Sequence, residues 1–194
     1  GAEKVALRVM ENLADRIRFV VVSYDPHDPA LGTTTDLFRS ITPYVYQIPE
    51  FLSSELNASF TEYLIRRFDP KTIYIANGSP WIYDALPEIK RHHPSIRVAN
   101  QVYDTQAGWI NRYDPALLTY IDAHIGCNPK IARAYEAKGA SPESVFFIEN
   151  GTDPVELDPT QYDNAQKANL KIKFGLPLQT KVVTFASRLN PQKR

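Results

Sequence analysis

Short apolar runs alternate with amphipathic helical patterns along the chain, and this alternation restricts the fold more than any other feature. The run Phe19-Val20-Val21-Val22 is wholly apolar, as expected of a central strand buried on both faces. Residues 2–14 carry apolar side chains on one face at helical spacing. Further strands are predicted at 44–48, 72–76, 96–102, 123–127, 145–148 and 182–186. Further helices are predicted at 54–68, 81–93, 115–122, 129–138 and 160–174. The pattern predicts an α/β fold with a parallel sheet covered by helices.

A change in composition after residue 150 predicts a domain boundary. Residues 150–163 are rich in Asn, Gly, Asp and Pro and contain few residues suited to a core. We therefore predict one domain over 1–152, and over 153–194 a hinge with the first helix and strand of a second, incomplete domain. These last residues, about 40 in number, are too few to form a core of their own.

The charge balance argues against nucleic acid as a partner. The chain of 194 residues has 22 basic and 22 acidic side chains and a formal net charge of zero, so no overall field attracts polyanions. Its single cysteine suits a reducing compartment. No apolar run approaches the roughly 20 residues needed to span a bilayer, and the first residues lack the layout of a secretory signal. We therefore expect a cytoplasmic protein. The four histidines show no metal-ligand spacing, so no metal site is predicted.

Two short motifs near the end of the chain have residue types that suit a hinge and a phosphate site. In Glu149-Asn150-Gly151-Thr152-Asp153, glycine would allow a positive φ and a sharp exit from a strand, and Asp153 could cap or turn the next segment. Arg188 and Lys193 follow a predicted strand, at the end of the sheet where open α/β folds bind ligands. A guanidinium and an ammonium there could hold phosphate oxygens. As isolated residues, both could equally be solvated surface cations.

With Gly1-Ala2-Glu3 and Phe174-Gly175-Leu176-Pro177, these motifs resemble the retaining glycosyltransferases of family 4, which have the two-domain GT-B fold. Gly1-Ala2-Glu3 resembles the end of the family's Gly-Gly-Ala-Glu loop. The segment from Ile148 to Asp153 resembles its Pro-Asn-Gly-Val-Asp hinge, and Ala186-Ser187-Arg188 through Lys193 resembles its Gly-Arg…Lys-Gly phosphate element. The resemblance implies a Rossmann-like N-terminal half of a GT-B fold. It also implies that a strand before Gly1 and most of the donor domain after Arg194 are missing.

The resemblance further implies a reaction and a set of ligands. Arg188, Lys193 and Gly1 would bind the diphosphate of a nucleotide-sugar donor, without a metal or other cofactor. The sugar would pass, with retention of anomeric configuration, to a glycan, a lipid-linked acceptor or a small molecule, as in polysaccharide biosynthesis. Peripheral association of the parent protein with a membrane is compatible with such an acceptor. Residues 1–194 alone should be inactive, because the transition state needs both walls of the cleft.

Polar residues at two strand ends and one tryptophan are expected to line the acceptor cleft. Tyr103-Asp104 follows strand 96–102, where the family often has His-Asp. Asp104 is expected to contact a hydroxyl of the acceptor or the sugar, whereas Tyr103 could donate a hydrogen bond or simply pack. Asn77 and Ser79 resemble the family's polar strand-end motif, although a turn before a helix explains them equally well. Trp109 either shapes the rim of the cleft or covers the core.

Residues 127–129 are expected to begin a helix. Asn128 is predicted to cap it, with Pro129 at its first position. Cys127 is interpreted as a small buried residue and not as a nucleophile, because no basic residue is paired with it in the sequence.

Three functions fit these observations. The first is a nucleotide-sugar-dependent glycosyltransferase, of which this chain is a part. The second is a non-catalytic Rossmann-like domain that binds or interacts, and the third is a sugar-nucleotide epimerase of the same architecture. The hinge and the Arg…Lys spacing favour the transferase. The family's pair of donor-binding glutamates, expected beyond Arg194, would distinguish it from the non-catalytic domain.

Overall fold

The structure is a computed structural model that describes residues 2–26, 30, 32–105, 109–111, 114–151, 153–155 and 158–184. The chain divides into two compact units, Gly1–Asn150 and Gly151–Arg194. We call them the N-terminal unit and the C-terminal unit. The division falls at the start of the composition change, next to the boundary placed at 152/153 from the sequence.

The N-terminal unit alternates helices and strands. Its helices are α1 (Ala2–Leu13), α2 (Thr35–Arg39), α3 (Asn57–Phe68), α4 (Pro80–His92) and α5 (Pro129–Lys138). Its strands are β1 (Val21–Ser23), β2 (Val45–Gln47), β3 (Thr72–Ala76), β4 (Arg97–Val102), β5 (Ala123–Gly126) and β6 (Val145–Phe147). Short 3-10 segments cover Ile48–Glu50, Ser54–Leu56, Trp109–Asn111, Pro115–Tyr120 and Pro142–Ser144.

The strands form two parallel sheets. A four-stranded sheet has the order β3-β4-β5-β6, and a two-stranded sheet pairs β1 with β2. Successive strands of the larger sheet are neighbours and run parallel. Each connection therefore crosses from the carboxyl end of one strand back to the amino end of the next. The parallel α/β fold predicted from the sequence is confirmed.

The prediction that Phe19-Val20-Val21-Val22 is a central strand was wrong. Within the described residues β1 pairs only with β2, and Val21 and Val22 are half-buried. An apolar run identifies a strand that touches a core, but it does not report how many neighbours the strand has. Here α1 and α2 supply part of the covering, through Leu7, Met10 and Phe38.

The main core lies around β4, which has a neighbouring strand on each side. Val98 and Val102 of β4 are fully buried, as are Leu86 of α4 and Tyr135 of α5. β4 is therefore buried along most of its length, as expected of a strand inside a parallel sheet.

Local signals define the ends of α5 as the sequence predicts. The Asn128 side chain accepts a hydrogen bond from the Ile131 amide at 3.0 Å, and Pro129 occupies the first turn. Gly139 ends the helix with a φ of 106°. By contrast, the helix predicted at 115–122 is the 3-10 segment Pro115–Tyr120, capped by the Asp114 side chain.

The C-terminal unit contains helix α6 (Asn164–Lys173), which has no buried residue among those described. Asp163 and Gln166 form a capping box, which explains why α6 begins later than the predicted residue 160. The strand predicted at 182–186 is not formed at 182–184, and its last two residues lie outside the described ranges.

Candidate functional site

Residues that follow four of the parallel strands lie at one edge of the N-terminal unit, which we call the carboxyl edge. They are Tyr24-Asp25 after β1, Asn77 to Trp81 after β3, Tyr103-Asp104 after β4 and Cys127-Asn128 after β5. Register and hydrogen bonds connect them. Ala76 pairs with Gln101 and Val102 with Gly126, so successive strands end nearly level. This is the end at which open parallel sheets bind their ligands.

A tight turn between β3 and α4 places Asn77 and Ser79. Asn77 adopts a φ of 49°, a left-handed conformation that asparagine tolerates better than most residues. Gly78 is required by close packing, since a Cβ there would lie 2.5 Å from Cγ2 of Ile75 and 2.9 Å from Cγ2 of Ile82. The turn leaves the side-chain oxygen of Asn77 buried and, within the described residues, without a hydrogen-bond partner.

Ser79 connects this turn to the end of β1. Its hydroxyl donates to Oδ1 of Asp25 at 2.7 Å, and only 8% of the residue is exposed. Ser79 holds the N-cap position of α4, yet its side chain makes no capping hydrogen bond. The hydroxyl that would normally cap the helix holds a carboxylate instead.

Aromatic packing supports the same junction. The rings of Tyr24 and Trp81 meet edge to face with centroids 4.4 Å apart, and the Tyr24 hydroxyl lies 2.7 Å from Oγ1 of Thr61. Burial raises the pKa of Tyr24, so its phenol stays neutral. The indole nitrogen of Trp81 is buried, and the described part of the chain offers it no acceptor.

Tyr103 extends the edge beyond β4. Its hydroxyl lies 3.3 Å from that of Tyr74, which itself donates to Oε1 of Gln101. Burial raises the pKa of Tyr103, and the neighbouring Tyr74 and the carboxylate of Glu3 in the first turn of α1 add to the effect. Tyr103 is therefore a neutral hydrogen-bonding group and not a base near neutral pH.

Cys127 lies beside Tyr103, with its sulfur 3.8 Å from the Tyr103 carbonyl oxygen. Partial burial raises the pKa of its thiol, and the nearby carboxylate of Asp104 adds to the effect. An attacking thiolate needs the opposite shift, so the environment of Cys127 agrees with the inert role expected from the sequence.

No protein-family model matches the chain. No curated protein and no solved structure is significantly similar to it either. The glycosyltransferase resemblance therefore remains a hypothesis based on the motifs.

A buried polar network lies beneath the carboxyl edge. The Tyr83 hydroxyl donates to Oδ1 of Asn100 at 3.0 Å, and the Asn100 amide donates to the Tyr135 hydroxyl at 3.2 Å. His124 pairs with Asn100 in the β4–β5 register and is 1% exposed, with its ring 5.0 Å from that of Tyr135. Burial lowers the pKa of His124 to about 4. A hydrogen bond with the backbone of Leu118 favours the charged ring and partly opposes this shift. The network is part of the scaffold, because its side chains are enclosed in the core.

The structure describes only some of the remaining predicted site residues. Gly1, Arg188 and Lys193 lie outside the described residues. Of Trp109 the structure gives only the 3-10 backbone. Asp104 follows Tyr103 at the carboxyl edge, and its role in binding stays a prediction.

The predicted hinge residues lie where the two units divide. Asn150 ends the N-terminal unit and Gly151 begins the C-terminal one. Gly151 does not use the positive φ that glycine allows, since its backbone is outside the left-handed region. Asp153 does turn the next segment, because its side chain accepts from the Val155 amide at 2.8 Å.

The described part of the chain shows neither a metal site nor a membrane-spanning helix. Across the described ranges, no group of three or more His, Cys, Asp or Glu side chains could hold a metal ion. Among the helices described, none is long and apolar enough to cross a membrane.

Sequence reasoning missed Asp25. The available signal was its position directly after an apolar strand pattern, the same signal that singled out Asp104. Its partner Ser79 is 54 residues away, so only the fold reveals the pair.

Proposed function

We propose that this chain is the acceptor-side part of a retaining glycosyltransferase that uses a nucleotide-sugar donor. The observation that carries the proposal is the set of hydrogen-bonding side chains at the carboxyl edge of a parallel sheet, Asn77, Ser79 and Tyr103, in a chain with the hinge and Arg…Lys motifs. Fold alone does not define a function, so the weight lies on this edge and on the motifs.

The chemistry of the edge suits an uncharged, hydroxyl-rich acceptor. Tyr103 stays protonated and can donate, the oxygen of Asn77 can accept, and Asp104 can accept from a hydroxyl. In this proposal these groups orient the acceptor hydroxyl toward the donor sugar. Tyr103 does not remove the acceptor's proton, because its raised pKa gives it no basic form near neutral pH.

The charge that accelerates the reaction comes, in this proposal, from Arg188 and Lys193. Breaking the bond between sugar and diphosphate builds negative charge on the leaving group. Fixed cations stabilise this charge more in the transition state than in the bound donor, and this difference is what raises a rate.

A binding role without catalysis is the second candidate, and one observation favours it. The titratable side chains at the carboxyl edge with shifted pKa values, Tyr24, Tyr103 and Cys127, are all shifted upward and stay neutral. Acid-base catalysis would instead need a pKa near the working pH. A domain that only binds a saccharide needs no such group.

Nucleotide binding and product analysis of the full-length protein distinguish these candidates. We expect UDP, GDP or ADP to perturb the NMR spectrum selectively, and the matching nucleotide sugar to yield a glycosylated acceptor. Release of an isomerised sugar without transfer would identify an epimerase. No response to any nucleotide, from a protein that still binds saccharides, would support the non-catalytic domain and refute the transferase.

A further inference from the structure

The carboxylate of Asp25 is held in a fixed position by a residue distant in sequence. The buried hydroxyl of Ser79 donates to its Oδ1 at 2.7 Å, whereas the rest of Asp25 is exposed. Ser79 makes this bond although its hydroxyl stands at the N-cap of α4, where a helix amide would be its usual partner. An exposed carboxylate that served only solubility would not need such a contact.

The residue before Asp25 restricts its backbone. The Tyr24 ring packs against Trp81, and its hydroxyl is bonded to Thr61 of α3. These contacts hold the end of β1, directly before Asp25, against α3 and α4. Oδ1 is used by Ser79, and the carboxylate retains further acceptor capacity toward solvent.

Two polar atoms near Ser79 in the chain, one in the β3–α4 turn and one in the first turn of α4, are buried and have no partner among the described residues. They are the side-chain oxygen of Asn77 and the indole nitrogen of Trp81, each two residues from Ser79. Buried polar atoms are nearly always hydrogen-bonded in native proteins, so each of these two atoms calls for a partner beyond those in the described part of the chain. One is an acceptor and the other a donor.

We propose that Asp25, Asn77 and Trp81 bind hydroxyl groups of a neutral saccharide, with Asp25 as the residue that positions it. A hydroxyl both donates and accepts, so it matches a site with two kinds of acceptor and one donor. A phosphate or carboxylate ligand does not match, because Asp25 would repel it. The identification of this saccharide as the acceptor rests on the proposed function, but its binding to the chain does not.

The binding test uses the indole N–H of Trp81 as an NMR probe in the full chain, assigned with Trp81→Phe. The ligands are methyl α-D-glucopyranoside, methyl α-D-mannopyranoside and methyl β-D-galactopyranoside, with inorganic phosphate as the anionic comparison. We expect at least one glycoside to shift the Trp81 signal saturably, and phosphate to leave it unchanged. A shift by phosphate alone, or no shift with any glycoside, overturns the proposal.

Variants then test the role of Asp25. Asp25→Asn should weaken binding of the effective glycoside roughly 10- to 100-fold, as expected for loss of a charged hydrogen-bond acceptor. Asp15→Asn, another exposed carboxylate, should bind as the wild type does. Thermal unfolding of both variants controls for folding. Unchanged affinity in a folded Asp25→Asn protein overturns the role of Asp25.

Kinetics separate this inference from the proposed function. In an active transferase, Asp25→Asn should raise the KM for the acceptor and leave the KM for the donor nearly unchanged. Saccharide binding without any transfer would refute the transferase and leave the site intact. Transfer with an unchanged acceptor KM would refute only the role of Asp25.

Discussion

Lowering the pH should destabilise the N-terminal unit through His124. The ordinary pKa of a histidine is 6.5, and burial lowers that of His124 to about 4 in the folded protein. Because the unfolded chain then binds more protons than the folded one, this stability is complete above about pH 6.5 and is lost as the pH falls toward about 4. The full difference corresponds to about 3 kcal/mol, at roughly 1.4 kcal/mol per pKa unit. Between about pH 7.5 and about pH 5, the expected loss is about 2 kcal/mol.

Other groups contribute mainly at lower pH. The carboxylates of Glu62 and Asp122 have pKa values below their ordinary 4.5 and 3.8, so the stability they add is lost only as the pH falls through those values. Glu62 is paired with Arg66 and His93, and Asp122 with Lys90 and Arg97. The range from about pH 7.5 to about pH 5 therefore isolates His124 from these carboxylates.

Urea unfolding followed by circular dichroism at several pH values measures this effect. His124→Gln, which cannot titrate, should show a clearly flatter pH dependence than the wild type. His92→Gln is the matched control for loss of a histidine outside the core, because 40% of the His92 side chain is exposed on α4. Equal slopes in the wild type and His124→Gln would refute the assignment, as would protonation of the His124 ring near pH 6.5 by NMR.

Two further predictions concern the local structure of the carboxyl edge. Gly78→Ala should destabilise the protein by about 1 to 3 kcal/mol, because the added Cβ overlaps two buried isoleucines. Thermal unfolding measures this loss. Gly151→Ala is the control and should unfold as the wild type does, because no atom lies within 4 Å of its added Cβ. Asn128→Ala should cost about 1 kcal/mol of unfolding free energy through loss of the α5 cap, and Asn128→Asp should restore most of it in the same measurement. A neutral Gly78→Ala or an unrescued Asn128→Ala would contradict these local accounts.

The sequence predicted best those elements whose limits depend on neighbouring residues. β3 has the predicted bounds 72–76, and α5 has the predicted bounds 129–138 because a cap, a proline and a glycine lie within the same segment. The predicted helix 54–68 begins as a 3-10 turn at Ser54–Leu56 before α3, a change of hydrogen bonding that periodicity does not resolve.

Features that depend on distant contacts were not predictable in this way. The position of β1 in a separate two-stranded sheet depends on strand pairing and not on its own composition. The Asp25–Ser79 pair requires two strand ends to meet. The requirement for glycine at position 78 arises from side chains of β3 and α4 that the turn brings together. Sequence alone therefore indicated an edge with polar residues, whereas the fold indicated which of them are held together.

Our proposal for the reaction is that Arg188 and Lys193 stabilise the diphosphate that leaves a nucleotide sugar. Its most direct test is the transfer rate of the full-length protein with Arg188→Ala and Lys193→Ala, using Lys173→Ala as a control cation at the end of α6. Each of the two variants should lose on the order of 100- to 1,000-fold in rate, about 3 to 4 kcal/mol, and Arg188→Lys should recover only part because it lacks the two-pronged contact. Lys173→Ala should transfer at the wild-type rate. Near-normal transfer by both alanine variants, with folding intact, would contradict the account.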